Sequence, residues 1–334
     1  MSAFWEDFVW LAAAVGSNPL LIQGPGGNVS LKDGDDMWVK ASGRRLCEAL
    51  DRNIFARLSR RAVLEALDRG EEVFCVDGGG ARPSVETPLH ALIPQRIVLH
   101  LHMLDAVIRS GLPEGGLAAL LDGLSWRLLP YARPGLPLSS LVRKSLEEGG
   151  QADVHILENH GVVVAAEDGE RAIFLVNELI RRLWLAQRPF ALPDATSLRA
   201  RNDAGWGIPV QAYPHALAFG EGAAALLAGG PLWPDQNVFL GRKICVLGPK
   251  ERLRAALEAF EQDCGFMPVF AVVPEGGVLF SPKIGASAAA TVSALGQAAL
   301  RLPGGCAPRP LSEAALDELD NWDGEKSRKT LDGA

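Results

Sequence analysis

The chain has 334 residues, enough at roughly 100–200 per domain for two domains, or for one large domain with an appendage. Apolar residues make up 48% and charged residues 22%, with 36 Gly and 22 Pro, which excludes a disordered chain and a fibrous repeat. Lys and Arg number 33 against 40 Asp and Glu, a net charge of -7 with no basic cluster, so no nucleic-acid partner is expected.

Phe4, Phe8, Leu11 and Val15 recur at spacings of four, three and four, which predicts a helix over about 2–15, stopped by Gly16, Asn18 and Pro19. The apolar run over 9–15 is far short of the ~20 residues that cross a bilayer. Glu6 and Asp7 stand where a secretory signal carries basic residues, so neither signal nor membrane segment is expected and the cytoplasm is the expected compartment. Gly24-Pro25-Gly26-Gly27-Asn28 leads into Val29-Ser30-Leu31, an acidic turn and Met37-Trp38-Val39-Lys40, a hairpin pattern. Residues 53–69 return to helical spacing. Strands are predicted at 97–102, 154–157 and 162–164, the last two joined through Asn159-His160-Gly161, and a long helix at about 168–187. Helices and hairpins without regular strand–helix alternation predict an α/β fold with antiparallel pairing and helices on the faces of the sheet.

From 188 to 213 the chain is rich in Pro, Asp, Asn and Gly, the mark of a linker. Beyond it a helix near 215–228, a strand pair near 237–247, a helix near 250–263, strands near 269–280 and a helix near 286–302 predict a smaller α/β unit. The expected division is a first domain at 1–190, a linker at 191–213, a second unit at 214–304 and a charged tail at 305–334. The five cysteines, at 47, 75, 245, 264 and 306, are scattered without a CxxC spacing and read as small core residues rather than as disulfides or metal ligands.

Of the six histidines, at 90, 100, 102, 155, 160 and 215, His100 and His102 stand two apart within one predicted strand. Side chains so spaced share a face, here with Val98, while Leu99 and Leu101 point the other way. Two such imidazoles can chelate one ion, and His160 from the tight turn completes a set of three with an open coordination position. Hydrogen-bonded strand histidines would produce the same pattern without a metal. Glu86, in Arg82-Pro83-Ser84-Val85-Glu86-Thr87-Pro88-Leu89-His90, begins a predicted helix. A carboxylate there either serves as a general acid and base or only complements the helix dipole. Gly26-Gly27-Asn28 and Ser42-Gly43 can turn N–H and side-chain donors toward an anion, although most Gly-rich turns hold nothing. The dinucleotide pattern GxGxxG fails at Val29. Its lookalike, Gly220-x-Gly222-x-x-Ala225, has no preceding strand and reads as a helix start.

In order, Gly26-Gly27-Asn28-Val29-Ser30, Lys40-Ala41-Ser42-Gly43, Pro83-Ser84-Val85-Glu86, His100-Leu101-His102 and Asn159-His160-Gly161 resemble the class II aldolase/adducin family over about residues 1–190. The second half resembles the C-terminal extension of a bacterial subgroup. Some relatives continue into a short-chain dehydrogenase, which this chain is expected to lack. The resemblance implies a three-layer α/β/α fold with a mostly antiparallel central sheet and a divalent metal on three histidines, zinc first, with Mn2+, Fe2+ or Co2+ as alternatives. By position, His100, His102 and His160 match the metal ligands and Glu86 the acid/base. Gly27, Asn28, Ser42, Gly43 and Ser84 match the residues that hold the anionic end of a sugar substrate; His90 and His155 match no catalytic position.

Two departures stand out. Val85 occupies the place of a second serine before the glutamate, which removes one phosphate donor. The stretch 111–126 has no tyrosine to match the proton donor of the fuculose-phosphate aldolases, and the only tyrosines are Tyr131 and Tyr213; Asp122 is the substitute there, or a surface helix residue. The implied function is a lyase acting on a carbon–carbon bond next to a carbonyl in a small sugar or sugar-acid derivative, through a metal-stabilised enediolate. Epimerisation and decarboxylation use the same enediolate, and an adducin-like interaction module is the non-catalytic alternative. A homo-oligomer, a tetramer, is the implied assembly.

Overall fold

The computed structural model describes residues 3–71, 81–113 and 116–322. They fall into two compact units, the first drawn from residues 3–71, 81–110 and 116–184 together with 321–322, the second from 111–113 and 185–320.

The first unit is built on a seven-stranded sheet. Its strands are β1 (Asn28–Asp33), β2 (Asp36–Lys40), β3 (Phe55–Ser59), β4 (Ile97–Leu101), β5 (Trp126–Leu129), β6 (Val154–Leu157) and β7 (Gly161–Ala166). They lie in the order β3-β2-β1-β4-β7-β6-β5, and every pairing is antiparallel except that of β5 with β6. Strands β4 and β7 are buried along their whole length, which is why they read as nearly continuous apolar runs instead of an alternation.

One face of the sheet, including Val29, Leu99, Leu101, Ile156, Val162 and Val164, shares a core with Phe8, Leu11 and Val15 of the helix Ala3–Gly16 and with Leu175, Leu179 and Leu183 of the helix Gly169–Leu183. The latter helix buries residues 172, 175, 176, 179 and 183, a stripe at the helical repeat, and the Asp168 side chain accepts the Arg171 N–H at 2.7 Å to cap it. On the opposite face Val98, Leu157, Val163 and Ala165 pack with Leu89 and Ile93 and with Leu138 and Val142 of the helix Leu136–Gly149. Helices on both faces of a mostly antiparallel sheet make the three-layer α/β/α arrangement that the resemblance implied.

The second unit carries a three-stranded sheet of β8 (Cys245–Val246), β9 (Phe270–Val273) and β10 (Gly277–Phe280), ordered β10-β9-β8. Its core includes Leu198, Trp206, Leu253, Leu257, Ala271, Val273 and Leu279. His215 is a structural pin here: its Nδ1 accepts the Val278 N–H at 3.0 Å and its Nε2 lies 2.9 Å from the Pro209 carbonyl, which fixes the neutral ring with its proton on Nε2.

Several elements differ from the sequence expectation. Residues 55–59 are strand rather than helix, because they pair with β2 from Asp36↔Ser59 to Lys40↔Phe55, and the helix begins only at Arg60 behind the Ser59 cap. The strand expected from 237 is the end of the helix Pro234–Leu240, which starts on a proline and is closed by Gly241. The stretch 191–213, expected as a linker, holds the helix Ala195–Arg201 and places Leu198 and Trp206 in the core. Within the expected tail, the helix Glu313–Asp320 buries Ala315, Leu316 and Leu319, and Arg242 pairs with Glu313, Asp317 and Asp320; residues 323–334 lie outside the described residues. Among the described cysteines only Cys245 is in a core, since Cys47 and Cys306 are exposed and Cys264 is partly so; Cys75 lies outside the described residues. The sequence Gly220-x-Gly222 begins the helix Gly220–Gly229 after a 3-10 turn rather than a strand.

His155, on β6, is fully buried and neither ring nitrogen has a hydrogen-bond partner among the described residues. Burial, and secondarily the charge of Arg127, pushes its pKa down to about 4. The unfolded chain takes up this proton near pH 6.5 and the native state does not, so the native state is penalised below pH 6.5 and is fully stable above it. We expect acidification from pH 7.5 to 5.5 to cost wild type about 1.4 kcal/mol more than His155→Leu. Urea unfolding of both proteins at the two pH values checks this.

Candidate metal centre and active site

Strand β1 pairs with β4, and β4 with β7, in a register that sets Asn28 and Val163 on either side of His100. Directly paired residues share a face, so Asn28 and His100 emerge together. His102 is not in the strand, as its spacing suggested, but one residue past the end of β4. Strand alternation alone therefore does not aim it. The segment 20–27 does: Gln23 Nε2 donates to the His102 carbonyl at 3.4 Å, Leu104 N–H donates to the Leu20 carbonyl at 2.8 Å, and Gly27 N–H donates to His102 Nε2 at 3.3 Å. Gly27 has φ +61, and a Cβ there would stand 2.7 Å from the His100 carbonyl and would also collide with Ile22. Only glycine lets the loop come this close.

His160 comes from the turn between β6 and β7. Gly161, after it, has φ +154 and lies so close to the Leu101 carbonyl that any Cβ would overlap it. The turn is thereby pressed against the end of β4. The ring centroids of His100 and His102 are 5.1 Å apart, those of His100 and His160 4.8 Å, and those of His102 and His160 5.2 Å. One nitrogen from each of the three lies within 4.8 Å of the others, and all three residues are buried.

Glu86 is the residue just before the helix Thr87–Leu92 and is buried. Asn28 Nδ2 donates to its Oε2 at 2.7 Å. Its Oε2 is 3.6 Å from His100 Nε2 and its Oε1 is 3.7 Å from His160 Nε2. Ser84 Oγ accepts the Glu86 N–H at 3.3 Å, and the Ser84 carbonyl accepts the Thr87 hydroxyl at 2.6 Å, so Ser84 shapes the turn that presents the carboxylate. Among the described residues, Glu86 Oε1 and Asn28 Oδ1 are buried with no hydrogen-bond donor. Three imidazoles beside two donorless oxygens form a set that suits a divalent cation and an oxygen-rich substrate.

The remaining expected substrate residues are joined to this site through backbone. Ser42 N–H donates to the Arg82 carbonyl at 2.8 Å, Ser84 N–H to the Lys40 carbonyl at 3.2 Å, and Ala41 bridges Pro83. Gly43, with φ +74, lies at the exposed tip. The buried Lys40 ammonium donates to the Pro25 carbonyl at 2.5 Å and to the Arg44 carbonyl at 2.9 Å, tying the loop at 24–27 to that at 41–44. His90 is buried with Nδ1 2.8 Å from Ser30 Oγ, and burial holds its pKa well below the usual range, which keeps the ring neutral. Asp122 is exposed in a turn after the helix Leu117–Leu120. The sequence reading assigned no role to Gln23, Lys40 or Ser110. No motif marks the first and last, whereas Lys40 opens the block Lys40-Ala41-Ser42-Gly43.

The chain belongs to the class II aldolase and adducin N-terminal domain family, whose model matches residues 13–184. It is 30% identical over 186 residues to "Uncharacterized oxidoreductase YuxG" of Bacillus subtilis (strain 168). That match takes in 49% of this chain and 27% of the relative, so the chain spans only about a quarter of that protein's length. Among solved structures it is similar to the N-terminal class II aldolase domain of a conserved protein from Thermoplasma acidophilum, at 27% identity over 55% of this chain and 92% of that one, with a TM-score of 0.46. It is also similar to a sugar-phosphate aldolase from Thermotoga maritima, at 16% identity over 55% and 94% of the two chains, with a TM-score of 0.42.

Gln23→Met keeps the length of the side chain and removes the amide that holds the His102 carbonyl. We expect a stability loss of about 1 kcal/mol and a roughly 10-fold weaker hold on a divalent ion, read by urea unfolding and by zinc titration calorimetry.

Proposed function

We propose that this chain is a metal-dependent lyase of the aldolase type, cleaving or forming a carbon–carbon bond next to a carbonyl in a small sugar or sugar-acid derivative. The observation that carries this reading is the buried Glu86 carboxylate, oriented by Asn28 at 2.7 Å and set 3.6 and 3.7 Å from the nitrogens of His100 and His160. His100, His102 and His160 are the residues that would hold the ion, zinc in this proposal with Mn2+, Fe2+ or Co2+ as alternatives. Such an ion supplies Lewis-acid polarisation of a carbonyl and its neighbouring hydroxyl.

The chain's own residues do the rest. Glu86 takes a proton from the substrate and returns it, and its burial keeps bulk water from competing for that proton. Asn28 Nδ2 fixes the rotation of the carboxylate, which leaves Oε1 to face the substrate. Gly27, Ser42, Gly43 and Ser84 would surround the anionic end, with Lys40 holding their loops together. Val85 offers no hydroxyl beside Ser84, so a phosphate ester finds one donor fewer than in the sugar-phosphate aldolases. Epimerisation and decarboxylation draw on the same proton transfer and are the alternatives. A non-catalytic, adducin-like role is disfavoured by the presence of all three histidines and Glu86 in one cluster. The same reading takes a cytoplasmic homotetramer.

We expect the purified protein to carry about one divalent ion per chain by elemental analysis. Glu86→Gln should lower turnover of an aldol substrate, found by screening free and phosphorylated aldol products, by about 10²–10⁴ while leaving metal content unchanged. Wild-type turnover with full metal occupancy in that variant would refute the acid/base assignment. Light scattering is expected to report a four-chain mass, and a monomer at micromolar concentration would exclude the tetramer.

A further inference from the structure

The third histidine sits in an unusual place. His100 belongs to a strand and His102 is bonded by Gln23 and Gly27, whereas His160 lies in a turn of three residues between Leu157 and Gly161, which are themselves paired across β6 and β7. Within the turn, His160 N–H donates to the Leu157 carbonyl at 3.1 Å. Asn159, in its middle, has φ +53, one of three positive values at non-glycine residues among those described. Asparagine is among the few residues that tolerate this left-handed conformation; a β-branched residue does not. The Asn159 N–H donates to Ser110 Oγ at 3.3 Å, and that hydroxyl donates to the Val107 carbonyl at 3.1 Å. Both partners are buried.

Ser110 stands near the end of the helix Leu104–Gly111, which begins two residues after His102. The hydroxyl therefore links the segment leaving the second histidine to the turn carrying the third. Gly161, packed on the Leu101 carbonyl, blocks movement on the other side. With both sides held, the direction of the Cα–Cβ bond of His160 depends on the backbone angles of Asn159.

We propose that Asn159 and Ser110 are positioning residues for His160, a brace that sets the protein's affinity for a divalent ion without touching the ion. The inference rests on the metal-centre reading above. At 159 the site requires the left-handed backbone, which glycine supplies and valine does not. At 110 it requires a hydroxyl that can accept the Asn159 N–H.

Zinc titration calorimetry on the full-length, metal-stripped protein, with thermal melts of the same samples, tests this. Asn159→Val should weaken zinc binding by about 10–100-fold, as loss of a group supporting a metal ligand does. Asn159→Gly should bind zinc at least about 3-fold more tightly than Asn159→Val, because glycine adopts positive φ freely. Ser110→Ala, a small change that keeps the fold, should weaken binding by about 3–10-fold. A merely structural role would lower the melting temperature without separating glycine from valine in zinc affinity. Should Asn159→Val fail to fold, Ser110→Ala still decides: zinc affinity equal to wild type overturns the brace. Equal zinc affinity in wild type, Asn159→Val and Ser110→Ala, with His160→Ala losing the ion, overturns this inference alone. A wild-type protein that binds no zinc, manganese or cobalt overturns the metal-centre reading and this inference with it.

Discussion

The hydrogen bond from Asn28 Nδ2 to Glu86 Oε2, 2.7 Å long and out of contact with water, is the interaction around which the site is organised. A carboxylate removed from water loses several kcal/mol of solvation unless polar groups replace it. Here one amide donor and two imidazole edges stand around it, with one oxygen still lacking a donor. The bond also joins the start of β1 to the residue that begins the helix Thr87–Leu92, so the charge cannot be satisfied unless sheet and helix are both in place. Completion of the fold and assembly of the site are therefore coupled.

Behind these side chains the positioning is done largely by backbone groups. The carbonyls of Pro25 and Arg44 converge on the Lys40 ammonium, and the Lys40 carbonyl in turn accepts the amide of Ser84. One residue at the end of β2 thus holds the loops at 24–27, 41–44 and 82–86 in a fixed relation. A buried ammonium provides three donors from one point, which suits it to gathering carbonyls from separate loops. Glycine at 27 and 161 removes the two Cβ atoms that would keep these loops away from β4.

The second unit is organised on different terms. His215, the histidine outside the first unit, spends both ring nitrogens on backbone groups at 209 and 278, and is absent from the three-histidine cluster. The fold of this unit depends on short strands and on segments with weak local signals, such as the helix Ala195–Arg201, whose Asp194 cap accepts the amides of Thr196 and Ser197.

By itself the sequence determined the elements whose signal is local and strong, the helix Gly169–Leu183 and the buried strands β4 and β7, while His100, His102, His160 and Glu86 stand out through the motif blocks that carry the family resemblance. Side-chain period and burial leave a direct imprint in such stretches. Tertiary structure alone decided the rest. Residues 55–59 follow helical spacing but become a strand because β2 offers an unpaired edge, and residues 191–213 look like a linker until Leu198 and Trp206 find a core. The aim of His102 does not follow from strand alternation, since β4 ends at Leu101 and the bonds to His102 from Gln23 and Gly27 come from 79 and 75 positions away in the chain. Contacts at such separations have no period and no fixed spacing, so only the folded chain, with its loops brought against the end of β4, makes them visible.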